Sequence, residues 1–155
     1  MAWVAGFRWF RARAELLFTT EGTENCNRFG GCVERDSVSH AVIGAAIAVH
    51  RAMGPGLLES VYQACLVFEL RRREVPFAQG VSVPLVYAGQ ALDAKLRLDV
   101  VVADQLVLEL KSIEKLSPIH TAQLLTYLKL TGHRKGLLIN FNVLQLKDGL
   151  IRLVL

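Results

Sequence analysis

Apolar positions along this chain change period twice. Two helical stretches come first, followed by shorter runs that alternate or are apolar throughout. Asp36 or Ser37 can cap a helix from Val38 to about Met53, small and apolar over Ala41 to Val49, which Gly54-Pro55-Gly56 ends. A second helix is predicted from Leu57 to Arg73, closing on Arg71-Arg72-Arg73, a charge sign that suits a helix C-terminus. Strand-like runs follow at Val81 to Val86, Ala91 to Val102 and Leu106 to Lys111. Ser117-Pro118 opens a third helix over Ile119 to Leu130, which Gly132 closes. Leu137 to Phe141 and Ile151 to Leu155 are the last strands, the second entered through the turn signal Asp148-Gly149. The order α-α-β-β-β-α-β-β predicts an α/β (α+β) fold, one mixed central sheet flanked by helices.

Charge is informative where it interrupts the apolar runs. Leu98-Asp99-Val100-Val101-Val102 and Val107-Leu108-Glu109-Leu110-Lys111 hold three charged residues where an unpaired charge is costly. Ala103-Asp104-Gln105 fits a three-residue hairpin loop. Centring it on Asp104 sets Asp99 opposite Glu109 and Arg97 opposite Lys111, and a slip of one residue would undo both pairs. Glu109 and Lys111 share a face, because side chains alternate along a strand. Two carboxylates opposed at roughly 5 Å repel, and a divalent cation would compensate them. Two acids and a lysine could then hold Mg²⁺ and a water, the apparatus for hydrolysing a phosphodiester. A structural ion pair or solvated strand ends would explain the same three residues without chemistry.

Composition narrows the alternatives. Of 155 residues, 52% are hydrophobic and 21% charged, enough for one globular domain with a real core. A net charge of +4 permits nucleic acid as a partner without demanding it. Ala41 to Val49 is too short to span a bilayer, so no membrane role is expected. Cys26, Cys32 and Cys65 lack zinc-site spacing and suit three ordinary thiols of a reducing compartment, consistent with a cytoplasmic protein. Residues 1–35 stand apart as an N-terminal extension. Trp3, Phe7, Phe10, Ala14 and Leu17 recur at helical spacing among Arg8, Arg11 and Arg13, so an amphipathic helix, an Arg-rich targeting segment and a loosely attached, disordered extension are all open. The compact domain is assigned to 36–155.

Further side chains could join the hairpin. Glu59 and Tyr62 share one helical face; Gln123 and Tyr127 share another, just after His120. Each has a plain structural alternative: Glu59 complements a helix dipole, Tyr62 is core, His120 makes a polar contact, and Arg71 to Arg73 is a wet helix end.

Gly56-Leu57-Leu58-Glu59-Ser60-Val61-Tyr62 reads G-x-x-E-x-x-Y, and it resembles the motif of the bacterial GxxExxY proteins, a branch of the PD-(D/E)XK nuclease superfamily. The similarity continues through Gly44-Ala45-Ala46, Asp99, Glu109-Leu110-Lys111-Ser112, the stretch from Ala122 to Leu128 and that from Gly136 to Asn142. The resemblance implies a restriction-endonuclease-like core and a metal-dependent nuclease acting on nucleic acid, with DNA as the expected polymer. It matches Asp99, Glu109 and Lys111 to the D…(D/E)xK signature, Glu59 to the helical acid, and Gln123 with Tyr127 to a Q-x-x-x-Y element. Asp99, Glu109, the Leu110 carbonyl and Glu59 would hold Mg²⁺ or Mn²⁺, and Lys111 would orient the attacking water. Gln123, Tyr127 and Tyr62 would contact nucleic acid, and two copies could pair as a homodimer. Leu98 stands where many relatives have proline, and Ala94-Lys95 where a glycine-bearing turn is expected. A binding module without catalysis, for nucleic acid or a protein, and a small subunit of a larger complex remain as the other two classes.

Overall fold

A computed structural model describes residues 36–155. The readings that fall on the N-terminal extension, Cys26 and Cys32 lie outside them. Helix α1 spans Ser37–Met53 and starts at Asp36, whose carboxylate accepts from the Ser39 N–H and from its hydroxyl. Helix α2 spans Glu59–Arg72. Strands β1 (Phe77–Tyr87), β2 (Gln90–Val102) and β3 (Leu106–Lys111) follow, then α3 (Pro118–Thr131), β4 (Lys135–Asn140) and β5 (Leu150–Val154). A short 3₁₀ turn over Leu146–Gly149 stands where a simple turn was predicted. Among the described residues no helix is long and apolar enough to cross a membrane.

The five strands lie in chain order, β1 to β5, antiparallel except for the parallel pair β3–β4. That mixed sheet between helices is the predicted α+β, restriction-endonuclease-like arrangement. A parallel pair needs a crossover, and α3 supplies it. Ser117 caps α3 with His120, whose Nδ1 accepts the Ser117 N–H, and Gly132 ends the helix at φ 75°, where a side chain would be strained. The polar contact read for His120 is thus a helix cap.

Alternation divides the core. Val100, Val102, Leu106, Leu108 and Leu110 pack with Leu137, Ile139 and Phe141 against α1 and α2, whose buried row includes Val42, Ala45, Leu66 and Leu70. Val101, Val107 and Leu138 pack on the other face with Leu124 and Leu128 of α3. Each fully buried Leu contributes about 1.5–3 kcal/mol. Leu108 and Leu110 therefore anchor a strand that also carries two charged residues.

The hairpin register holds for three pairs, Val102–Leu106, Val101–Val107 and Val100–Leu108, around the predicted Ala103-Asp104-Gln105 loop. Beyond Val100 the strands part. The β2–β3 ladder ends at Val100–Leu108, so neither the Asp99–Glu109 nor the Arg97–Lys111 pair of the predicted register forms, and Arg97 pairs with Ser82 of β1 on its other side. Strand β2 also continues through Ala94 and Lys95, with a register shift against β1 between Lys95 and Ala91, and the turn before it is Ala88-Gly89, both at positive φ. No glycine-bearing turn is needed where one was expected.

Candidate active site

The parting of β2 and β3 builds the site. Asp99 does not face Glu109 across a ladder. Its Oδ2 accepts the Leu110 N–H at 2.9 Å, so a side chain takes the place of a main-chain acceptor just where the strands separate. Leu108 and Leu110 point into the α1–α2 core, which turns Glu109 and Lys111 to the opposite face. Lys111 Nζ donates to Glu109 Oε1 at 2.7 Å, and the two side chains are only 15% and 5% exposed. Asp99 and Glu109 each commit one oxygen to these contacts.

Glu59, the first residue of α2, completes the set from solvent. Gly56 makes its approach possible: φ 98° is open to glycine without strain, and the chain there turns from α1 into α2. Partial burial raises the Glu59 pKa, Lys111 opposes that, and the Asp99 charge raises it further. Burial also raises Glu109; the Lys111 hydrogen bond counters it, while Asp99 and Glu59 add to it. Burial pulls Lys111 down, yet Glu109, Glu59 and Asp99 outweigh that and raise it. Three acids thus lie around one lysine, an excess of acidic groups over basic ones.

That surplus, carried on hard oxygen atoms, fits a divalent cation such as Mg²⁺. Asp99, Glu109 and Glu59 could hold it together with the main-chain carbonyl of Leu110, the one oxygen that residue offers. Among the described residues no group of three His, Cys, Asp or Glu side chains is placed to hold a metal ion by itself.

The residues matched to nucleic-acid contact fare unequally. Gln123 and Tyr127 are half-buried on α3 and bond to each other, Gln123 Nε2 donating to the Tyr127 hydroxyl at 2.6 Å. Tyr62 is corrected. It has no exposed surface, its ring stacks on Phe141 at 4.6 Å, and its hydroxyl donates to the Gly54 carbonyl while accepting the Leu57 N–H. A ring so enclosed braces the turn between α1 and α2 and does not touch a polymer. At the far end of α2, Arg72 and Arg73 bind Glu69, and Arg71 lies over the Phe77 ring, so the arginine run is structural.

Several positioning residues were not singled out from the sequence. Asn140, fully buried, accepts the Ile113 N–H and donates to the Ile113 carbonyl, holding the segment just after Lys111. Phe141 N–H donates to the Lys111 carbonyl at 2.9 Å. Gln63 Nε2 donates to the Asp99 carbonyl at 3.3 Å. The Ser112 hydroxyl donates to the Leu57 carbonyl. A buried asparagine at a strand end, where an unbonded amide is costly, was the one signal that could have revealed Asn140.

A model of the PD-(D/E)XK nuclease superfamily matches residues 36–153. No curated protein and no solved structure matches the chain. One acid on the second strand, then an acid and a lysine two apart on the third, is the pattern this superfamily is named for, and the chain belongs to it.

Proposed function

We propose that the protein is a metal-dependent nuclease of the GxxExxY branch that hydrolyses phosphodiester bonds of DNA in the cytoplasm, with two copies pairing to act on both strands. One observation carries the chemistry: three acids share a single, mostly buried lysine where β2 and β3 part. As pure architecture the set is costly, since like charges and burial both oppose it. A superfamily of nucleases supplies the substrate class, nucleic acid. The motif from Gly56 to Tyr62 supports the branch, and the net charge of +4 tolerates a polyanion.

When bound at Asp99, Glu109, Glu59 and the Leu110 carbonyl, a Mg²⁺ or Mn²⁺ ion would polarise the scissile phosphate and acidify a water. The chain's own residues do the rest. Lys111, kept protonated by its acidic neighbours, orients the attacking water and stabilises charge growing on the phosphate. Asp99 holds the Leu110 peptide in place through the bond to its N–H, which fixes the direction of the adjacent carbonyl. Gln123 and Tyr127 place the polymer backbone without reading its sequence.

Cleavage of supercoiled, linear and single-stranded DNA and of RNA, with Mg²⁺ or Mn²⁺ and with chelator, tests this. Metal-dependent cutting that Lys111→Ala abolishes is the expected result, with DNA cut in preference to RNA. No cutting by folded, metal-binding protein would shift the assignment to a binding module or to a subunit of a larger complex. Light scattering checks the pairing.

A further inference from the structure

Glu59 sits behind a turn with little to hold it. Gly54 and Gly56 both have positive φ with open space around them, and Leu58, the residue that precedes α2, is 74% exposed and gives the helix no side-chain cap. One residue in this turn, Leu57, is anchored through both of its main-chain groups. The Leu57 N–H donates to the Tyr62 hydroxyl at 3.1 Å, and the Leu57 carbonyl accepts from the Ser112 hydroxyl. Tyr62 is itself fixed by stacking on Phe141 and by donating to Gly54. Ser112 directly follows Lys111 and precedes Ile113, which Asn140 clamps from both its N–H and its carbonyl. Through Leu57, the strand end that bears the lysine and the helix start that bears the outermost acid are therefore tied to each other.

We propose that Ser112 is a positioning residue: its hydroxyl, gripping the Leu57 carbonyl, sets Glu59 against Lys111 and Asp99 so that Glu59 serves the metal site. This rests on the nuclease assignment and extends it to a residue outside the acid–lysine signature. The physical case is economical. A helix N-terminus without a capping side chain frays readily. The carboxylate of its first residue can support a site only if something outside the helix holds that first turn. Ser112 is the described side chain that reaches the turn from the sheet. Tyr62 reaches it from within α2, holding the N–H of the same residue. Loss of the Ser112 hydroxyl frees the Leu57 carbonyl, and the consequence should pass through Glu59 alone.

Calorimetric titration with Mn²⁺ on wild type, Ser112→Ala, Glu59→Gln and the double variant tests this as a cycle. Ser112→Ala should weaken metal binding by about three- to tenfold, the scale of one lost hydrogen bond. In the Glu59→Gln background the same change should cost nothing further, and Ser112→Thr, which keeps a hydroxyl, should restore wild-type affinity. Equal weakening in both backgrounds would mean that Ser112 merely supports the fold, and no weakening would mean that it does not position Glu59; either overturns the proposal. Should Ser112→Ala fail to fold, Ser112→Cys, which keeps a side chain of similar size with only a weak donor, takes its place in the cycle to the same two outcomes. Wild type that binds no Mn²⁺ would sink the metal-dependent assignment together with this one. Binding by wild type with an additive cycle sinks only the role of Ser112.

Discussion

Helix α2 carries the same ingredients at its two ends in opposite proportion. Near its C-terminal end two arginines surround one acid: Arg72 and Arg73 both donate to Glu69 and hold its pKa down to about 2. At its first residue the ratio inverts, and Glu59 joins Glu109 and Asp99 around Lys111, with both glutamates pushed up instead. Cations in excess satisfy an acid and complete a piece of architecture. Acids in excess leave charge that a further cation can satisfy. Ion pairs alone therefore do not mark a site; an imbalance held in place by burial does.

The strongest way to break this comparison is to remove one cation from each cluster. Lys111→Ala should lower cleavage by about 10²–10³-fold or more, while Arg72→Ala leaves it within about twofold. Equal losses would erase the distinction. Metal addition sharpens it next. Mg²⁺ at a hundred times its dissociation constant should stabilise the wild type by about 2.7 kcal/mol in thermal unfolding. The Asp99→Asn/Glu109→Gln double variant should show no such shift, and Glu69→Gln the full shift.

Acid behaviour should separate the clusters by sign. Glu69 is lowered from 4.5 to about 2, so its contribution to stability is present above pH 4.5 and disappears as the pH falls toward 2. Glu109 is raised, so the folded protein holds its proton more tightly than the unfolded chain, and this group costs stability as the pH climbs past 4.5. Denaturant titrations at stepped pH should therefore lose part of the acid limb in Glu69→Gln. In Glu109→Gln the slope above pH 4.5 should become more positive. The smallest effect belongs to neither cluster: Ser117→Ala, which removes the α3 cap, should cost about 1 kcal/mol and leave cleavage unchanged.

Much of the fold was legible because period and punctuation agree. The third helix was bounded by Ser117-Pro118 and Gly132, and the β2–β3 loop by Ala103-Asp104-Gln105, close to where both lie. The first strand was drawn too short, since Phe77 to Gly80 offers no clean alternation, and β1 there pairs with β2 through Phe77–Val102 all the same. Asp99, Glu109 and Lys111 stood out because charge inside apolar strands is costly. Tyr62 was misplaced for the opposite reason: a tyrosine three residues from an acid looks the same on paper whether its hydroxyl meets a ligand or a Gly54 carbonyl. Ser112 and Asn140 lay in stretches that carried the resemblance, but their roles were not legible because their partners, at Leu57 and Ile113, are main-chain groups, and a sequence pattern does not show which of those a fold will leave unbonded.

The parallel pairing of Lys111 with Asn140 also orders events in time. A chain grows from its N-terminus, so Glu59, Asp99, Glu109 and Lys111 are all synthesised before the α3 crossover and β4 exist. Until the crossover closes, nothing bonds the Lys111 carbonyl through Phe141 or clamps Ile113 through Asn140. Parallel pairs across a long connection form late, because loop closure must precede the contacts that reward it. The charged residues are in hand early, but the contacts that fix the chain just after Lys111 wait for β4, so a half-made chain carries the acids and the lysine without the joint that holds them together.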